Sequence, residues 1–168
     1  PYCARTMQKG SGVYYKGDLS LESVDKSLKG CHWDRLNDCN AYGDSIFHPR
    51  YHEFIDILIS NNINQYELHT AATGKGYQWW EDTINKFLDL QKSGTKVKIQ
   101  FGIDEIKTTE RKHRLGQNFD EIFFAMSTAK EKGINEVVWQ FIPFSHNEHQ
   151  IEEVKHIADS IGVRLQFT

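Results

Sequence analysis

Two hydrophobic periods take turns along this chain. Lys96-Val97-Lys98-Ile99-Gln100-Phe101-Gly102 alternates polar and apolar residues one by one, the period of a strand with two unlike faces. Tyr51, Phe54, Ile55, Leu58 and Ile59 instead recur at the three- and four-residue spacing of a helix with one apolar stripe. Read this way, the chain predicts strands over 33–39, 65–71, 96–102, 136–142 and 163–167. The helices fall between them: from Asp18-Leu19-Ser20 to Gly30, from Pro49 to Asn61-Asn62, from Trp79 to Leu90, from Phe119 to near Gly133, and from Asn147 to Ser160. Capping side chains or a proline open several of these helices, and glycine or asparagine closes most of them. Residues 6–18 and the stretch from Asp104 to Gln117 lack either period and read as loops.

Five strands, each reached through a helix, form a chain of βαβ units. They predict an α/β fold with a parallel sheet and right-handed crossovers. The pattern is shared by doubly wound sheets and by barrels, so it does not choose between them. A length of 168 residues suits one domain over 1–168, and no change of composition divides it.

A formal net charge of -3 leaves no basic footprint for nucleic acid. No apolar run approaches the ~18 residues that a membrane-spanning helix needs. The three cysteines, Cys3, Cys31 and Cys39, are too few and odd in number for a disulfide framework, and predict reduced thiols in a cytoplasmic protein. Their spacing fits no compact zinc pattern, so Cys31 and Cys39 read as packed thiols.

In parallel α/β folds ligands gather at the C-terminal ends of the strands. The residues that follow the predicted strands are Asn40, Tyr42, Gly43 and Asp44; His69, Thr70 and Thr73; Asp104 and Glu105, with Arg111, His113 and Arg114 further along; and Ser145, His146, Asn147 and Glu148. The opposite ends carry ordinary turn residues such as Gly30, Gly133 and Gly162. This asymmetry predicts a polar site on one rim of an apolar scaffold.

Several of these residues stand in a known order. Pro1-Tyr2-Cys3-Ala4-Arg5 resembles the tail of the C-x-x-x-C-x-aromatic-C signature of the radical S-adenosylmethionine (radical SAM) superfamily. Gly43-Asp44-Ser45-Ile46-Phe47-His48-Pro49 is similar to its Gly-Asp-Pro-x-x-His-Pro segment, and Gly102-Ile103-Asp104-Glu105 to its Ser-Leu-Asp-Gly or Gly-Ile-Asp-Gly segment. Arg114-Leu115-Gly116 resembles the downstream Tyr-Arg-x-Gly element, and His146-Asn147-Glu148-His149 the Asn-Glu element after the fifth strand. Gly102 and Glu105 depart from the family pattern, the first removing a hydroxyl and the second replacing a turn glycine.

The resemblance spans nearly the whole chain. It implies a partial (β/α)6 TIM-like barrel with helices outside, in which the five strands are the second to sixth. The first strand and two further cluster cysteines would precede Pro1. It implies a [4Fe-4S] cluster with Cys3 as a metal ligand. It also implies S-adenosylmethionine bound by Tyr2, Gly43, Asp44, Thr70, Asp104, Arg114, Gln140 and Ile142.

Here the chemistry of the residues agrees. A carboxylate with backbone carbonyls satisfies an α-ammonium, and a guanidinium fork matches a carboxylate. The implied activity is reductive cleavage of S-adenosylmethionine to a 5′-deoxyadenosyl radical that abstracts hydrogen from a small-molecule or peptide substrate. The electron would come from a reductase or a flavodoxin-type donor. The alternative reading is a cluster-free α/β domain that binds a small molecule or a partner.

Overall fold

A computed structural model describes residues 17–39, 43–106 and 116–168. Its elements run α1 (Leu21–Leu28), β1 (His32–Trp33), β2 (Leu36–Asp38), α2 (Tyr51–Ile59), β3 (Asn62–Ile63), β4 (Gln65–Thr70), α3 (Tyr77–Lys92), β5 (Lys96–Gly102), α4 (Phe119–Glu131), β6 (Glu136–Phe141), α5 (Ile151–Ser160) and β7 (Arg164–Phe167). Local chemistry sets several boundaries. Ser20 caps α1 by accepting from the Ser23 amide, and Asn118 caps α4 by accepting from the amides of Asp120 and Glu121. The helix expected from Pro49 begins at Tyr51, after a separate 3-10 turn over Ser45–Phe47.

The strand expected over 33–39 is two short pieces in two sheets. β1 pairs with β3 in a small parallel ribbon, while β2 joins the main sheet beside β4. Exposed Asp34 and Arg35 separate the pieces.

The main sheet has five parallel strands in the order β2-β4-β5-β6-β7. Neighbours in space are neighbours in sequence, so the order has no reversal and lacks the switch point of a doubly wound sheet. Right-handed crossovers of one direction put successive helices on the same face. The helices accordingly pack side by side, α1 on α2, α2 on α3 and α3 on α4.

Register partners share a face, and the two faces differ. Toward the helices point Tyr66 and Leu68, Val97, Ile99 and Phe101, and Val137, Trp139 and Phe141. All are buried, and Trp139, Phe101 and Phe141 are fully so. They form one core with Ile55, Leu58, Trp80, Ile84, Phe87, Ile122 and Met126 of the helices. The opposite face carries Glu67 and His69, Lys98 and Gln100, Glu136, Val138 and Gln140, and Arg164 and Gln166. Strands of a parallel sheet covered on both faces read as continuous apolar runs. Here β4 and β5 alternate, and the second face is mainly polar, with Val138 of β6 as a buried apolar residue on it.

Among the described residues no helix is long and apolar enough to cross a membrane.

Candidate functional site

Because every strand of the main sheet runs the same way, the polar strand ends picked out from the sequence lie along one edge. Two loops build the first part of this rim. Asp44 caps the 3-10 turn after β2, accepting from the Ile46 amide at 3.4 Å. Its Oδ2 also accepts from the Thr70 hydroxyl at 2.7 Å and from the Ala71 amide at 2.9 Å. Thr70 Oγ1 in turn accepts from the Ala72 amide at 2.9 Å. Ala72 holds a positive φ of 50°, the one non-glycine residue among those described to do so. An alanine there is strained by about 1–2 kcal/mol, which the surrounding bonds must hold in place.

A second carboxylate fixes the same turn from below. Asp38, at the end of β2, accepts from the Ser45 hydroxyl at 2.5 Å and from the Tyr66 hydroxyl at 2.9 Å. Tyr66 spends its proton on Asp38, so Tyr51 must donate at the 3.0 Å contact between the two phenols. Burial raises the Asp38 pKa above the ordinary carboxylate value, and the Ser45 and Tyr66 hydrogen bonds offset only part of that rise. Burial also pushes both phenols well above the usual tyrosine range.

The next loop, 71–76, is tied down by a residue that its own sequence does not suggest. Glu121, in the first turn of α4, accepts from three successive amides: Gly74 at 2.9 Å, Lys75 at 2.7 Å and Gly76 at 2.6 Å. Such a run of amides at a helix start is a ready anion site. Here the protein fills it with its own side chain, 5% exposed. Gln117 closes the arrangement by donating to the Gly102 carbonyl at 2.6 Å. From Lys75 the ammonium lies 4.8 Å from the Trp79 ring centroid and 5.1 Å from that of Phe47.

The far part of the rim is a strap across β5 and β6. Asp104, 1% exposed, accepts through Oδ1 from the Ile142 amide at 2.9 Å. Asn147 precedes a 3-10 turn over Glu148–Gln150 but makes no side-chain cap bond to it. Its side chain donates to the carbonyls of Asp104 and Ile142 at 2.7 and 2.9 Å, and accepts from the Phe144 amide at 2.6 Å. His146 Nε2 stands 2.9 Å from Glu105 Oε1, an ion-pair distance without hydrogen-bond alignment, and its ring stacks on Phe144.

On the mainly polar face of the sheet Glu67 accepts from Lys98 and lies 3.0 Å from His69 Nε2. Gln100 Nε2 lies 3.3 Å from His69 Nδ1. Burial alone would raise the Glu67 pKa; Lys98 and His69 together outweigh it and hold the carboxyl below its ordinary value. Gln140 lies further along this face and donates to Thr168 Oγ1 at 3.0 Å.

The structure thus brings Asp44 and Thr70 together beside Gly43. It joins Asp104 to Ile142, and sets Gln140 on the polar face. Tyr2, Cys3 and Arg114 lie outside the described residues, as do Asn40, Tyr42, Arg111 and His113. Cys31 and Cys39, expected to be packed thiols, are exposed instead. β2 ends at Asp38, which leaves Cys39 beyond the strand that was to bury it. Among the described residues no three His, Cys, Asp or Glu side chains form a metal-holding group.

Sequence reasoning missed Glu121, Asp38 and Lys75. In sequence Glu121 is one of two acids in a first helical turn, and nothing local links it to a loop 45 residues earlier. Comparison with protein-family models, with curated proteins and with solved structures gave no match to this chain.

Proposed function

We propose that the chain is the core of a radical SAM enzyme, folded as part of a (β/α)6 barrel. The observation that carries this reading is the setting of Asp44. Its carboxylate is fixed at the C-terminal rim by Thr70 and Ala71, in the segment that resembles the superfamily's Gly-Asp element. The sequential strand order and the mainly polar second face of the sheet support the barrel, since a curved sheet of this order would turn that face inward toward a ligand.

In this reading Cys3 is an iron ligand of a [4Fe-4S] cluster. The cluster, when bound, supplies the electron that cleaves S-adenosylmethionine to methionine and a 5′-deoxyadenosyl radical. The chain's own residues bind and orient. Asp44 receives the methionyl ammonium, and Thr70 and Ala71 keep the carboxylate aimed. Tyr2, Gly43, Asp104, Arg114, Gln140 and Ile142 complete the cofactor's surroundings. The Asp104 strap fixes the Ile142 backbone against β5. A small molecule or a peptide is the substrate, and a reductase or a flavodoxin-type protein the electron donor, in the cytoplasm.

The test is anaerobic iron and sulfide reconstitution of the full protein, followed by electron paramagnetic resonance and detection of 5′-deoxyadenosine. A reduced-cluster signal altered by S-adenosylmethionine is expected, with deoxyadenosine released, and both lost in Cys3→Ala. Asp44→Asn is expected to keep the cluster signal and raise the S-adenosylmethionine requirement. A protein that holds no cluster under these conditions would overturn the proposal in favour of a cluster-free binding domain.

A further inference from the structure

Four side chains on the mainly polar face of the sheet are joined end to end. Gln100 Nε2 lies 3.3 Å from His69 Nδ1, and His69 Nε2 lies 3.0 Å from Glu67 Oε1. Lys98 Nζ reaches the same Glu67 oxygen. The radical SAM reading gives none of these four residues a task.

The direction of each bond follows from the atoms. A side-chain amide nitrogen only donates, and a carboxylate only accepts. His69 therefore accepts at Nδ1 and donates at Nε2. Two separate neighbours require the same neutral tautomer, with the ring proton on Nε2.

A second proton on the ring breaks this order at one joint. Both nitrogens of an imidazolium donate. The bond to Glu67 survives and gains charge, but at Nδ1 two N–H donors would face each other. The Gln100 amide resolves the conflict by turning over, which brings its carbonyl Oε1 to Nδ1 in nearly the same space. The present 3.3 Å bond is longer than the usual ~2.7–3.2 Å, so little is lost when it breaks. Gln100 is 4% exposed, which leaves little water to separate the two donors. His69 itself, with 32% of its side chain exposed, can exchange a proton with solvent.

The charges around the ring are balanced before that proton arrives. Glu67 on β4 and Lys98 on β5 neutralise each other. On β6 Glu136 is engaged by Lys96 and Arg164. A charge on His69 also reaches Asp38 of β2 and favours its carboxylate.

We propose that His69 and Gln100 form a pH-sensitive switch in the sheet face. Protonation of His69 turns over the Gln100 amide and adds one positive charge beside the Glu67–Lys98 pair. The charge that this face offers a ligand is thereby set by pH. The inference rests on the radical SAM reading only for the ligand-facing role of the face.

The experiment is isotope-edited NMR on the full protein with labelled histidine and glutamine. It runs from about pH 8 to pH 5, the range in which histidine ordinarily changes charge. His69→Gln and Gln100→Met assign the signals. Neither cluster nor cofactor is needed.

At the upper end His69 should show the Nε2–H tautomer. On acidification both ring nitrogens should become protonated, and the Gln100 amide signals should shift with the same midpoint. Gln100→Glu places an acceptor at Nδ1 permanently. At the wild-type midpoint its protonated fraction should rise from half to about nine-tenths or more, with near-ultraviolet circular dichroism to check the fold. The wild-type titration decides the matter by itself if that variant does not fold. An Nδ1–H tautomer, a ring that stays neutral throughout, or Gln100 signals that ignore the His69 titration would overturn the switch and leave the radical SAM reading standing. Failure of cluster reconstitution would overturn that reading and leave the switch.

Discussion

The two faces of the main sheet are made by the same strands and obey different rules. On the helix-covered face, Leu68, Ile99 and Phe101 are fully buried, and their contribution is packing and removal from water. On the other face the same strands carry Glu67, His69, Lys98 and Gln100, of which Glu67 and Gln100 are also buried. Burying polar groups gains little unless each is partnered, and here each is partnered by its neighbour across the strands. The first face stabilises the fold. The second adds little net stability, yet holds a charged, hydrogen-bonded surface in a fixed geometry, as a ligand-facing surface requires.

The contrast predicts how the faces break. Phe101→Ala should be the most damaging, losing about 4 kcal/mol in denaturant unfolding, because the cavity would sit among rigid core neighbours such as Trp80. Lys98→Met should follow at about 3 kcal/mol, because it leaves the Glu67 charge buried without its main partner. The double variant Glu67→Leu with Lys98→Met should return to within about 1 kcal/mol of wild type. A double variant as weak as the single one would mean that this face stabilises by ion pairing after all.

Glu121→Ala, which frees three loop amides, should cost about 2 kcal/mol and speed hydrogen exchange at Gly74, Lys75 and Gly76. Unchanged exchange there would show that the carboxylate does not organise the rim.

The smallest effect is on pH dependence. The Glu67 pKa is lowered in the fold, so its contribution is present above the unfolded value of about 4.3 and is lost as pH falls through the lower folded value. In Lys98→Met burial is no longer outweighed, so acid destabilisation should begin at higher pH. Melting temperatures between pH 3 and 7, roughly the range that brackets this titration, measure it.

Much of the fold was legible. The alternation of Lys96 to Gly102 named both the strand and its two unlike faces, and β5 spans those residues. Helix stripes such as Tyr51, Ile55 and Leu58 are buried as their spacing requires. The strand over 33–39 misled because a β-favouring Trp33 and an apolar Leu36 suggested continuity, whereas the pairing partners, Asn62–Ile63 and Gln65–Thr70, belong to two different sheets. The rim was legible as a list of strand ends. Its bonds were not, because Asp44 meets Thr70 across 26 residues and Asp104 meets Ile142 across 38.

The sequence by itself determined the α/β class, the alternation of elements, the apolar core and the candidate rim, because these follow from local periodicity and from backbone hydrogen bonding along one segment. Only the tertiary structure decided the strand order, the exposure of Cys31 and Cys39, the use of Glu121 to fill the amide nest, and the seat of Lys75 between two rings. Each depends on which distant segments meet, and that is set by the packing of the whole chain.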